Sequence, residues 1–142
     1  KTSAENLSKH VFLIEEFLDS EIKAGNITAD QFSKETKEIK IHNHCYQKAL
    51  SSQIHTFNLM NLPKNFKVTL IPSGCCGMAG SFGYEKEHYK VSQAIGELVL
   101  FPAVRKSNAI ICANGTSCRH QIKDGTNKES QHPVSILNKF AL

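Results

Sequence analysis

The sequence predicts an α/β fold built on a small parallel sheet of three to four strands flanked by helices. Three observations lead there. Short apolar runs alternate with helical patterns along the chain. The connections between the runs are long enough for parallel crossovers. Four of the five cysteines fall just after the runs, at the edge where open parallel sheets gather ligands.

The elements follow in order. Val11, Ile14, Leu18 and Ile22 recur at helical spacing and predict a first helix, with Gly25 as its stop. Thr28 to Gln31 matches a capping box and predicts a short second helix. A strand is expected over Ile39 to Ile41, then a helix from about Tyr46 to Leu62. Tyr46, Leu50, Ile54 and Phe57 mark the buried face of that helix, and Pro63 lies past its end. The next strand, Lys67 to Ile71, runs into the glycine-rich loop PSGCCGMAGSFG. A helix follows in which Tyr84, His88, Val91, Ile95 and Leu98 share an inward face, with Pro102 breaking or kinking it. The third strand is expected over Ala109 to Cys112. A turn, ANGTS, leads to a short helix near Cys118 to Lys123, and Pro133 suits the first position of a last helix. The layering expected is Rossmann-like, with right-handed crossovers. Residues 1–38 read as a helical segment packing on a cysteine-rich domain, residues 39–142.

Composition narrows the function. The chain has 142 residues, 40% of them hydrophobic, which suits one core. No apolar run reaches the ~18–20 residues that cross a bilayer. There is no signal peptide and no initial methionine, so the chain reads as a fragment, and a cytoplasmic setting is expected, with a peripheral place at the inner face of the membrane as an extension. The formal charge of +4 is spread along the chain. No basic stripe with interleaved aromatics is visible, which argues against nucleic acid as a partner. The cysteine number, five, is odd, and the chain is not a small loop-rich scaffold. Both facts argue against a secreted disulfide framework.

Cys45 follows the first strand, Cys75 and Cys76 the second, and Cys118 the third. A parallel sheet would bring these three loops to one point. Four thiolates are the usual complement for a tetrahedral zinc or an iron–sulfur cluster. Gly74, Gly77, Gly80 and Gly83 would let the loop wrap closely around a bulky centre. Cys45 and Cys118 stand near helix starts, where the dipole favours a thiolate. Buried small residues, or a strained vicinal disulfide at Cys75–Cys76, are the plainer alternatives. Cys112 lies inside the apolar run AIICA and is read as structural. His42 and His44 flank Cys45, and each fits either a fourth ligand of a mixed zinc site or a donor to sulfur. His120 follows Cys118 and could line the same site. His88 is expected to pack inward, and His132 before Pro133 is read as structural.

At HNHCYQKAL (42–50), SGCCGMAGSFGYEKEHYKVSQAIGELVLFPAV (73–104), GTSCRHQIKDG (115–125) and HPVSIL (132–137) the chain resembles the cysteine-rich CCG domain. That domain occurs in heterodisulfide reductase subunits and in the iron–sulfur part of glycolate oxidase. The resemblance is nearest to the C-terminal end of fused FAD-linked oxidoreductases of the D-lactate and D-2-hydroxyglutarate dehydrogenase kind, and it covers about residues 39–142. It implies an iron–sulfur cluster, with zinc as the alternative, held by Cys45, Cys75, Cys76 and Cys118. It also implies partners: an upstream FAD domain and ferredoxin-like clusters in the same enzyme, or a separate flavin subunit. None of that machinery is legible here, since no dinucleotide fingerprint and no ferredoxin cysteine run occurs. The fragment is therefore not expected to be active by itself. The CCG pattern ends in two cysteines separated by two residues, and the first of them falls on Gly115. This favours a four-thiolate site over the double-CCG cluster of heterodisulfide reductases. Electron transfer, a structural zinc site and a metal-free thiol-redox surface are the three functions that these residues allow.

Overall fold

The computed structural model describes residues 2–142. Its sheet has four strands: β1 (Lys37–His42), β2 (Phe66–Leu70), β3 (Ile110–Ala113) and β4 (Ser130–Gln131). The order is β2-β1-β3-β4 and every pairing is parallel. Two helices precede the sheet, α1 (Thr2–Ser8) and α2 (Ile14–Lys23). α3 (Cys45–Leu50) and α4 (Gln53–Met60) connect β1 to β2. α5 (Tyr89–Leu98) and α6 (Leu100–Arg105) connect β2 to β3. α7 (Thr116–Thr126) leads to β4, and α8 (Pro133–Phe140) follows it. The expected α/β class with a parallel sheet is what forms. Among the described residues, no helix is long and apolar enough to cross a membrane.

The strand order places a switch point between β1 and β3. From β1 the chain winds outward to β2, then returns to the other side of β1 for β3. The loops leaving β1 and β3 therefore part, and a crevice opens at their carboxyl ends. Side-chain alternation decides what faces each layer. Ile39 and Ile41 of β1 and Cys112 of β3 enter one core with Leu59, Met60, Ile136 and Phe140. Ile111 and Ala113 enter the other with Leu100, Phe101, Val104, Ile122, Cys76 and Cys118. His42 pairs with Ala113 and so shares the second face. Burying one side chain the size of Phe101 contributes about 1.5–3 kcal/mol.

Several expectations are corrected. The helix expected from Tyr46 to Leu62 is two helices, because the Ser52 hydroxyl accepts a hydrogen bond from Ile54 N (3.2 Å) and caps a new start. Tyr46, Leu50 and Ile54 are exposed; Gln47, Thr56, Leu59 and Met60 face inward. Val11 lies outside α2, whose buried positions are Glu15 and Asp19. The Thr28–Gln31 capping box closes a single 3-10 turn over Ala29–Gln31. In α5 the buried residues are Ser92 and Gly96, while Tyr84, Val91 and Leu98 are exposed. His88 is half-exposed, stacked on Phe82 and 2.7 Å from Glu85. The break before Pro102 falls at Val99. The short strand β4 carries no sequence signal of its own. His132 does cap α8 through Nδ1, and Pro133 stands at its first turn.

Candidate metal centre

Loop placement assembles the centre. Cys45 is the first residue of α3, Cys75 and Cys76 lie in the loop after β2, and Cys118 is in the first turn of α7. Among the described residues, one group of metal-ligating side chains is closely gathered: His42, Cys76 and Cys118, whose donor atoms all lie within 4.8 Å of one another. All three residues are buried. Cys75 is half-buried and Cys45 exposed, and all five cysteines are free thiols. The negative charge of either outer thiolate still bears on Cys118. Cys112 points into the opposite layer and is fully buried there.

The histidines separate. His42 Nδ1 lies 2.7 Å from Ser73 Oγ, and its Nε2 has no hydrogen-bond partner among the described residues. His44 caps α3: its Nδ1 accepts from Tyr46 N at 3.1 Å, so its proton sits on Nε2. Its ring rests on Gly115. A Cβ at Gly115 would meet His44 Cδ2 at 2.3 Å and Cys118 Sγ at 3.0 Å, so position 115 has no room for a side chain. His120 is exposed and shares a 2.8 Å hydrogen bond with the Tyr84 hydroxyl, away from the buried trio.

Electrostatics favour one thiolate in the buried pair. The Cys118 thiol, then the Ser73-linked His42 and the Met78 backbone N–H, hold Cys76 well below the usual thiol range against the opposing effect of burial. Cys118 moves up for the reciprocal reason, since it keeps the proton the pair shares and is itself buried. The helix-start effect expected at Cys118 is thus outweighed by its neighbours. Burial raises Cys75, although Gly77 N–H donates to its sulfur at 3.3 Å. Burial, with the Glu15 charge, pushes Cys112 up strongly. These residues would hold a metal ion in place of the shared proton, because the thiolate is the ligating form. Two soft sulfurs and an orphaned imidazole nitrogen, closed from water, suit zinc or an iron–sulfur centre.

Polar neighbours that sequence reasoning missed hold the loops in place. Lys48 Nζ donates to the carbonyls of Ser73 (2.6 Å) and Gly74 (3.1 Å), clamping the CCG loop onto α3. Asn114 Oδ1 accepts from His44 N (2.9 Å), and Asn114 Nδ2 donates to Gln47 (2.9 Å), joining the loops after β1 and β3. These partners are 25 to 70 residues apart in sequence, so no local pattern announces them. The loop glycines also differ from expectation. Gly77 has φ +101°, and a Cβ there would meet Ser92 O of α5 at 2.1 Å. Its smallness lets the loop pack on α5, not around the sulfurs.

Comparison with known proteins agrees with a catalytic context. Over 101 residues, 70% of the chain, it is 31% identical to one of the subunits of the anaerobic glycerol-3-phosphate dehydrogenase of Escherichia coli (strain K12), and it covers 25% of that protein. Over 72 residues, 50% of the chain, it is 38% identical to D-2-hydroxyglutarate dehydrogenase of the same strain, covering 7% of it. The corresponding enzyme of Pseudomonas putida is 32% identical over 75 residues, 53% of the chain and 7% of the enzyme. The chain spans a quarter or less of the length of these relatives. No family model matches it, and no solved structure does. The relatives are dehydrogenases, so the chain is similar to a small part of larger oxidoreductases.

Proposed function

We propose that the chain is the cysteine-rich, metal-binding domain of a larger FAD-linked iron–sulfur oxidoreductase acting on a 2-hydroxy acid or a similar alcohol. Its role is to pass electrons from the flavin and upstream clusters to an acceptor. Cys45, Cys75, Cys76 and Cys118 supply thiolates to an iron–sulfur cluster. The single observation that carries this reading is the buried Cys76–Cys118–His42 group, in a chain similar to parts of dehydrogenases.

When bound, such a cluster supplies reversible one-electron storage at a fixed point. The residues of this chain hold and tune it. Cys76 and Cys118 anchor it from two loops. Gly77 N–H donates to the Cys75 sulfur and stabilises negative charge there. Lys48 fixes the loop that carries Cys75 and Cys76. The exposed Cys45 marks the side on which a partner domain can approach closely. A reducing, cytoplasmic setting keeps these thiols free.

A structural zinc is the second reading, and the compactness of the trio favours it. A tetrahedral ion with bonds of about 2.3 Å to sulfur and about 2.0–2.1 Å to nitrogen sets neighbouring donors roughly 3.5–3.8 Å apart. The trio's donor atoms, all within 4.8 Å of one another, admit such an ion. Reductive titration of the intact protein, purified without oxygen, separates the two. Electron transfer predicts a visible absorption that bleaches on reduction, falls by about one cluster's share in Cys76→Ala and is unchanged in Cys112→Ala. Visible absorption unchanged in Cys76→Ala, with one zinc per chain lost instead, refutes electron transfer at this site.

A further inference from the structure

We infer that His42 is a direct metal ligand, its Nε2 taking a coordination position beside Cys76 and Cys118. The inference rests on the metal-centre reading above and revises its ligand set: for a four-coordinate centre, the imidazole replaces one of the two outer cysteines, Cys45 or Cys75.

Four observations converge on it. First, placement is set by the strand and not by a loop. His42 ends β1 and pairs with Ala113, so strand alternation turns its ring to the layer that holds Cys76 and Cys118. Second, the residue is 1% exposed, so water does not compete for its ring. Third, Nε2 makes no well-formed hydrogen bond among the described residues and faces Cys76 and Cys118, whose sulfurs lie within 4.8 Å. A buried nitrogen in that position is destabilising until it is paired, and a metal bond would pair it. Fourth, the opposite nitrogen is positioned as in ligating histidines. Nδ1 meets Ser73 Oγ at 2.7 Å, and the Ser73 hydroxyl has the Ile71 carbonyl 3.5 Å away to receive its own hydrogen. With a metal bound, Nδ1–H would donate to Ser73 and Nε2 would turn its lone pair to the ion. His44 differs on each point: it caps α3 and is half-exposed, and its Nε2 carries a proton.

The test is X-ray absorption at the K-edge of whichever metal the intact, anaerobically purified protein holds. Imidazole gives a multiple-scattering signature that thiolate lacks. The expected result is one imidazole in the wild type, retained in His44→Ala and His120→Ala. His42→Cys, which offers a thiolate in place of the ring, should lose the signature while keeping metal. Should His42→Cys fail to hold metal, His42→Gln repeats the test, and persistence of the signature in the other two variants excludes His44 and His120. Alkylation of the metal-loaded wild type should then modify one of Cys45 and Cys75 and spare Cys76 and Cys118. Sulfur-only coordination in the wild type overturns the inference and leaves the metal-centre reading standing. An imidazole signature that survives in His42→Cys overturns it as well. A wild type without metal removes both.

Discussion

Lys48 joins the chemistry of the centre to the backbone. Its ammonium bonds both carbonyls leading into the Cys75–Cys76 pair. Replacing it by methionine keeps most of the stem and removes three N–H donors. We expect Lys48→Met to weaken metal binding by about 10- to 100-fold, as loss of an outer support does. Competition with a chromophoric chelator measures this directly, and unchanged affinity would show that the loop is held by packing instead. At this scale the sequence is informative about sulfur and less so about its neighbours. Cys112 stands apart because it sits within AIICA, and the structure gives the reason in alternation: it faces the layer of Leu59 and Ile136. The same alternation makes His42 legible, since Ile39 and Ile41 claim one face and leave Lys40 and His42 the other. Lys48, Ser73 and Asn114 act through contacts remote in sequence, so no spacing rule finds them.

Among the elements, α2 is held by polar contacts as much as by apolar ones. Asp19 is buried and binds three groups: Lys23 Nζ at 2.8 Å, His55 Nδ1 at 2.7 Å and Asn58 Nδ2 at 3.0 Å, the last two on α4. Glu16 adds a short contact to Ser51. Burial raises the Asp19 pKa, but the bonds from Lys23, His55 and Asn58 outweigh it and hold the group below its ordinary value of 3.8. The sign follows from that direction. Stability from this carboxylate is fully present above its unfolded pKa, and is lost as pH falls through the depressed folded value. Asp19→Ala should therefore destabilise by about 1–3 kcal/mol at neutral pH, with the difference from wild type shrinking below about pH 4. Urea denaturation at several pH values tests this; a difference independent of pH would make the residue's role steric. Element identity is largely legible in the sequence, and the three longer strands fall within about two residues of their expected ends. Helix faces are not. The Tyr46–Phe57 and Tyr84–Leu98 stripes look like core by period, yet Tyr46, Leu50, Leu98 and Val91 face solvent. In α5 the close approach of Gly96 to Phe101 and of Ser92 to Gly77 sets the inward face, so small residues do the packing. Hydrophobic periodicity alone assigns such a helix to the wrong side.

At the scale of the molecule, the switch point between β1 and β3 is what would let the proposed ligands, far apart in sequence, act together. The loops after β1, β2 and β3 open at one edge, and the crossovers put α3 and α7 on either side of it. Exposed apolar side chains, among them Val11, Phe12, Phe17 and Leu50, leave surface that suits contact with the rest of a larger enzyme. The proposed electron path needs such a neighbour, and the relatives are about four or more times longer than the part this chain matches. The decisive measurement is the iron, acid-labile sulfide and zinc content of the intact protein purified without oxygen, compared with its Cys75→Ala/Cys76→Ala variant. The account predicts that the variant loses metal at this site: about one cluster of iron and sulfide if the domain carries electrons, or one zinc if it is structural. Unchanged iron, sulfide and zinc in the variant would contradict the metal centre itself.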